Sequence, residues 1–180
     1  MKIQMAIAAI AAGMGMSSAS IAAGPQSGVI NFSGQVVDTT CVVNANSTNM
    51  NVELPAIDRS LLTAPSSSAG LTPFSISVTG CSPAPGANTV SAMFVADGNI
   101  DAAGNLVNTG TAENVAIQLL DKDQTPINIQ NDPWSAQMDR GESAADGSVT
   151  LKYWARYYSQ AGGASAGDVA SMANFQLVYE

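Results

Sequence analysis

Beyond the first two dozen residues, apolar and polar side chains alternate in short runs. This period of two is the signature of half-buried strands. Ile30, Phe32, Gly34 and Val36 share one face of a predicted strand, with Asn31, Ser33 and Gln35 on the other. Val52 and Leu54 predict a shorter strand. Phe74, Ile76 and Val78 alternate with Ser75, Ser77 and Thr79. Val90, Ala92, Phe94 and Ala96 predict another strand. Val115, Ile117 and Leu119 predict a further one, stopped by Asp121, Lys122 and Asp123. Val149, Leu151, Tyr153, Ala155 and Tyr157 make the longest alternation, and Phe175, Leu177 and Tyr179 the last. Turn chemistry separates these runs: Ser82 to Gly86, Asp97 to Asn99, Ala103 to Asn105 and Ala145 to Gly147. Thr63 to Ala69 reads as a Ser-rich loop and Gln160 to Gly167 as a Gly/Ala/Ser loop. There is no repeat of fixed period and no long linker, and 180 residues suit one domain. Short strands at this spacing imply an antiparallel sandwich of immunoglobulin-like type.

The opening segment follows a different logic. Met1 and Lys2 give a positive start, Ile3 to Met16 an uncharged apolar stretch, and Ser17 to Ala23 a run of small residues. This is the layout of a secretory signal peptide, with cleavage expected after Ala22 or Ala23. The apolar part is too short to span a membrane, and no later stretch is long enough. An exported chain meets an oxidising compartment, so Cys41 and Cys81 are expected to form one intramolecular bridge. Two buried thiols or an intermolecular link are the alternatives.

Composition then removes whole classes of function. The chain has no histidine, so imidazole-based triads and most zinc sites are out. Its 14 acidic and 6 basic residues give a net charge of −8, and scattered cations of that number make no phosphate-binding stripe; no nucleic acid is expected as a partner. Asp97, Asn99 and Asp101 open like a calcium loop, but Ala102 stands where the turn glycine belongs and Asn108 where the bidentate Glu belongs. Asp121 and Asp123 lie in no recognisable pocket motif and read as turn residues. Asn31 and Asn46 begin glycosylation sequons that read as chance matches. Lys152, Arg156 and Arg140 read as surface ion-pair residues. Trp134 reads as a packing or rim residue, and Tyr153, Tyr157 and Tyr158 as core and interface. No P-loop, dinucleotide fingerprint, CxxC or nucleophile elbow is present. No enzyme activity and no cofactor are expected.

Five segments, in order, resemble the pilins of chaperone–usher fimbriae, especially the type 1 major-subunit family. They are the run from Gly28 to Cys41 (GVINFSGQVVDTTC), the run from Phe74 to Cys81 (FSISVTGC), and the run from Asn114 to Asp121 (NVAIQLLD). The fourth is Ala155 to Tyr158 (ARYY) before a Gly/Ala-rich loop. The fifth is a C-terminus with Gly167 fourteenth from the end and Tyr179 penultimate. Pro25, the Pro83 and Pro85 pair, Trp134 and Trp154 depart from the pattern.

The resemblance implies an immunoglobulin-like sandwich lacking its seventh strand, completed by a strand from a neighbouring subunit. After the signal peptide over residues 1–23, it implies a donor extension over 24–36 running into the first strand, and a pilin domain over 37–180. Ile30, Phe32, Gly34 and Val36 then carry the donor face, Gly34 being the small residue that meets a shallow pocket. Gly167 and Tyr179 then carry recognition by a periplasmic chaperone. The implied partners are that chaperone, an outer-membrane usher, and copies of the chain or related pilins joined head to tail. The implied function is a structural fimbrial subunit supporting adhesion or biofilm formation. Alternation by itself fits a second reading, a self-contained periplasmic or secreted ligand-binding module.

Overall fold

A computed structural model describes residues 30–31, 41–81, 89–132, 141–142 and 147–179. The chain forms two compact units, residues 1–35 and residues 36–180. In the first unit only Ile30 and Asn31 are described, and both are exposed. Phe32, Gly34 and Val36, the signal segment and Trp134 lie outside the described residues.

Among the described residues, the regular secondary structure of the second unit is almost all strand. In chain order come β1 (Val42–Val43), a one-turn helix α1 (Ala45–Thr48), a 3-10 turn (Arg59–Leu62), β2 (Ser67–Thr79) and β3 (Thr89–Phe94). β4 (Leu106–Val107), β5 (Ala116–Leu120), β6 (Gly141–Glu142), β7 (Val149–Ser159) and β8 (Phe175–Tyr179) follow. One sheet has the order β1-β2-β7-β5-β4 and the other β6-β3-β8. Every pairing is antiparallel.

The long alternations supply the core. Ile76 and Val78 from β2 face Leu151, Tyr153 and Ala155 from β7, with Val90, Ala92 and Phe94 coming from the other sheet. Tyr153 stacks on Phe74 at 5.7 Å between ring centroids and meets Phe94 edge-on at 5.0 Å. Its hydroxyl donates to the Ala92 carbonyl at 3.1 Å, so one side chain ties the two sheets together. Such aromatic contacts add ~0.5–1.5 kcal/mol each beyond burial, and the hydrogen bond keeps the phenol from being an unpaired polar group.

Several features depart from the alternation. β2 begins at Ser67, inside the stretch expected to be loop, because Ser67, Ser68 and Ala69 pair with Ser159, Tyr158 and Tyr157. The register shifts between Ala69 and Thr72, where Gly70 adopts φ +71°. A Cβ on Gly70 would stand 2.8 Å from Cδ2 of Tyr157, so glycine is required both by backbone and by space. β3 stops at Phe94, before the expected Ala96, and Val95 N–H still bonds the Asn174 carbonyl at 2.8 Å. Asn44 starts α1 through its carbonyl, which accepts from Ser47 N–H at 2.7 Å and from Thr48 N–H at 3.0 Å. The buried Ser47 hydroxyl then takes the Ser77 N–H at 3.0 Å, fixing the helix against β2. Val52 and Leu54 lie on an extended segment that enters neither sheet.

Carboxylates and amides hold the turns. Asp121 Oδ1 accepts from the N–H groups of Asp123 and Thr125, at 2.9 and 2.8 Å. Asp97 accepts from Asn99 N–H at 2.9 Å and from the Asn174 side chain at 2.7 Å, joining the turn after β3 to the lead-in of β8. Asp101 accepts from Ala103 and Asn105 N–H, both at 2.9 Å. Buried Asn105 then accepts from Gln118 at 3.1 Å, and Gln118 accepts from Arg156 at 2.9 and 2.6 Å. The sequence motif from Asp97 to Asp101 is therefore used for turn closure.

Cys41 and Cys81 are bonded to one another, 40 residues apart. Reduction should lower the unfolding free energy by roughly 4 kcal/mol on the loop-entropy estimate, read as a lower denaturant midpoint. The Asn99 N–H, and next the Asn174 amide, hold the Asp97 carboxyl below its ordinary value of 3.8. Its contribution is complete above pH 3.8 and lost as the pH falls through the lower folded value. Asp97→Asn should flatten that part of the acid limb when unfolding midpoints of the two chains are compared across the acid range.

Candidate functional site

The unpaired extended segment and the approach to β8 face each other across an open groove. Along the first wall Met50, Val52, Leu54 and Ile57 are half-buried, while Asn51, Glu53 and Pro55 are exposed. That is strand-like alternation without a ladder: among the described residues, no hydrogen bond is made by the backbone from 51 to 57. Pro55 lacks an N–H altogether. The second wall runs from Ala164 to Phe175 and continues into β8. β8 pairs with β3 along one edge, and among the described residues its other edge has no partner. Among the described residues, the immunoglobulin-like sandwich is incomplete at this place.

The floor of the groove is apolar. One cavity of about 450 Å³ lies over Phe74, Ile76, Leu106, Ile117 and Leu119. A second of about 680 Å³ lies over Leu62, Ala112, Val115 and Tyr157. Leu54 lines both, so they are successive stretches of one trough. Met172, 59% exposed, stands at the rim. Asp58, Arg59 and Asp168 bring charge only to the larger cavity. The Ser60 N–H holds the Asp58 carboxyl below its ordinary value, and burial pushes the Tyr157 phenol up.

The second wall is held from behind by the loop after β4. Thr109 N–H bonds the Ala170 carbonyl at 2.8 Å, Ala112 N–H the Asp168 carbonyl at 3.0 Å, and Ser165 N–H the Glu113 carbonyl at 3.0 Å. Gly167 lies where wall and loop touch: a Cβ there would stand 2.6 Å from Ala112 N. Its need for glycine is thus a close backbone approach. Tyr179 is half-buried at the far end of β8, opposite Val90, and packs on the core. The two residues singled out at the C-terminus therefore sit on one edge, Gly167 lining the larger cavity and Tyr179 lining neither. Ile30 is 76% exposed. The wall residues Met50 and Met172 and the loop residue Asn108 were not anticipated; only the Val52 and Leu54 alternation hinted at the first wall.

An apolar trough between two chain edges with free backbone groups has the chemistry of a strand acceptor. A strand laid in it gains ladder hydrogen bonds from the edges and side-chain burial from the floor. Tyr153 and Phe94 are engaged with each other and with the core rather than arranged as a sugar-stacking platform.

Comparison with known proteins agrees with this geometry. Residues 30–180 match the family described as "Fimbrial protein". The F17 fimbrial protein of Escherichia coli is 40% identical over 184 residues, covering 99% of each chain. The major fimbrial subunit SMF-1 of Stenotrophomonas maltophilia is 31% identical over 178 residues, covering 91% of this chain and 99% of the relative. Among solved structures, an antigen and type I fimbria protein of Burkholderia pseudomallei gives a TM-score of 0.52 at 25% identity, covering 81% of this chain and 97% of its own. The matched residues contain both cysteines, both groove walls and β8, and the chain belongs to the fimbrial protein family as a structural subunit of an extracellular fimbrium.

Proposed function

We propose that the groove accepts a strand donated by residues 24–36 of another copy or of a related pilin, and that this exchange builds the filament. The observation that carries the reading is the apolar trough between the segment 51–57 and β8, two edges with free backbone groups among the described residues. The complementary observation is in the sequence: Ile30, Phe32 and Val36 alternate with polar residues, with Gly34 among them. Their spacing suits side chains directed every second residue into a floor.

Magnitudes show what decides the affinity. Each ladder hydrogen bond contributes ~1 kcal/mol net, and each apolar side chain fully buried roughly 1.5–3 kcal/mol. Ordering the extension costs ~1–2 kcal/mol of backbone entropy per residue. Hydrogen bonds and backbone ordering nearly cancel, so the fit of side chains to the floor sets the outcome. Donation is head to tail and does not close on itself, which generates an open filament. Before assembly, residues 1–23 direct export, a periplasmic chaperone covers the groove with Gly167 and Tyr179 among its contacts, and an usher presents the subunit. The reading assigns the chain no chemical step. A self-contained ligand-binding sandwich is disfavoured by the edge of β8 that has no partner among the described residues.

The test uses the full chain with a synthetic peptide of residues 24–36. A ligand that binds only the folded state should stabilise by ~2.7 kcal/mol at a hundredfold excess over Kd. A peptide carrying Phe32→Asp should give no shift. If neither peptide changes the unfolding midpoint, the groove is no strand acceptor. In the full chain, Phe32→Asp should abolish filaments seen by electron microscopy while changing the stability of the isolated subunit by only ~0.5 kcal/mol.

A further inference from the structure

We propose that Asn108 is a positioning residue for strand uptake: it fixes the second groove wall without touching the incoming strand. The assignment rests on the strand-acceptor reading above. Asn108 follows β4 and lines neither cavity. Its side chain makes three hydrogen bonds. Nδ2 donates to the Ala112 carbonyl at 2.7 Å, closing the turn 108–112. Oδ1 accepts from Gly110 N–H at 2.8 Å and from Ala170 N–H at 2.9 Å.

The last of these is the operative contact. Ala170 lies between the two cavities: Asp168 and Val169 line the larger one, Ser171 and Met172 the smaller. Its carbonyl is held by the Thr109 N–H and hydroxyl, at 2.8 and 3.1 Å. Its N–H is held by Asn108 alone among the described residues. Asn108 Oδ1 thus does for the wall what a neighbouring strand's carbonyl does in a ladder. It keeps this part of the wall in place from behind, on the side away from the groove floor. Gly110 completes the arrangement, since a Cβ there would stand 2.2 Å from the Asp168 carbonyl oxygen and push loop and wall apart.

The experiment follows uptake of a fluorescently labelled peptide of residues 24–36 by the full chain, in the wild type, Asn108→Ala and Asn108→Asp. Hydrogen exchange of the Ala170 and Leu151 amides is read on the same chains. Asn108→Asp keeps the acceptor for Gly110 and Ala170 but sets a carboxylate oxygen against the Ala112 carbonyl, so it opens the 108–112 turn while sparing the wall contact. The expected result is uptake slowed about tenfold in Asn108→Ala, the scale of losing the one wall contact, to Ala170 N–H, among its three hydrogen bonds. Ala170 should exchange faster in that variant and Leu151 at its wild-type rate, and Asn108→Asp should recover both uptake and Ala170 protection. Wild-type uptake by Asn108→Ala overturns the proposal, as does an Asp variant no better than Ala. Equal loss of protection at Leu151 also overturns it, because the side chain then serves general stability. If Asn108→Ala does not fold, Asn108→Asp decides: preserved uptake and Ala170 protection uphold the assignment, and loss of both overturns it. A wild-type chain that takes up no peptide removes the strand-acceptor reading itself, a result distinct from a wild type that binds and an Asn108→Ala that binds equally well.

Discussion

A backbone N–H or carbonyl taken out of water needs a partner, and in this fold one edge of β8 is left without one among the described residues. Much of the local structure can be traced to that constraint. Ahead of β8, from Ser165 to Ala170, the same need is met by hydrogen bonds with the loop 108–113 and by side-chain oxygens of Asn108, Thr111 and Ser165. On the groove side no such substitute is present among the described residues, and the residues from 51 to 57 stay extended in front of it. The walls are therefore satisfied from behind and open in front. That division lets a folded domain hold a strand-shaped opening over its own core.

The rest of the molecule supports the opening by being rigid where it must be. The Phe74, Phe94 and Tyr153 cluster, with the Tyr153 hydroxyl on the Ala92 carbonyl, ties the sheets directly beneath the floor. The chain from Asp101 through Asn105 and Gln118 to Arg156 joins the β3–β4 turn to β5 and β7 through amides that are themselves bonded. A buried polar network of this kind holds shape only when each member is satisfied, as these are. Scarcity of charge is part of the same design, since just 11% of residues are ionisable as Asp, Glu, Lys or Arg. The few carboxylates, Asp97, Asp101 and Asp121, close turns, while buried linkage falls to Asn105 and Gln118.

Alternation made the central strands legible, because Ile76, Val78, Leu119, Leu151, Tyr153 and Phe175 contribute to one core at a period of two. It failed at the N-terminal half of β2, where Ser67, Ser68 and Gly70 supply no apolar face and Tyr157 covers the bulge instead. β1, β4 and β6 are pairs of two residues, too short for any periodic signal. The first wall was half-legible: Val52 and Leu54 have the pattern of a strand, and pattern alone does not reveal that the ladder is missing. Gly167 stood out at its position in the sequence, yet its contact with Ala112 is between residues far apart in the chain. Asn108 gave no signal, since its role depends on Ala170 N–H, 62 residues on.

The cystine has a mechanical meaning beyond the loop it closes. Tension applied to the chain ahead of Cys41 reaches Cys81 through two sulfur atoms and leaves along the residues that follow it. The intervening loop, which contains the first groove wall and all of β2, lies off the covalent load path. Traction on the chain ahead of Cys41 then bypasses the covalent backbone of residues 51–57, so the same bond that restricts the unfolded chain spares the first wall, though not the second, from pulling.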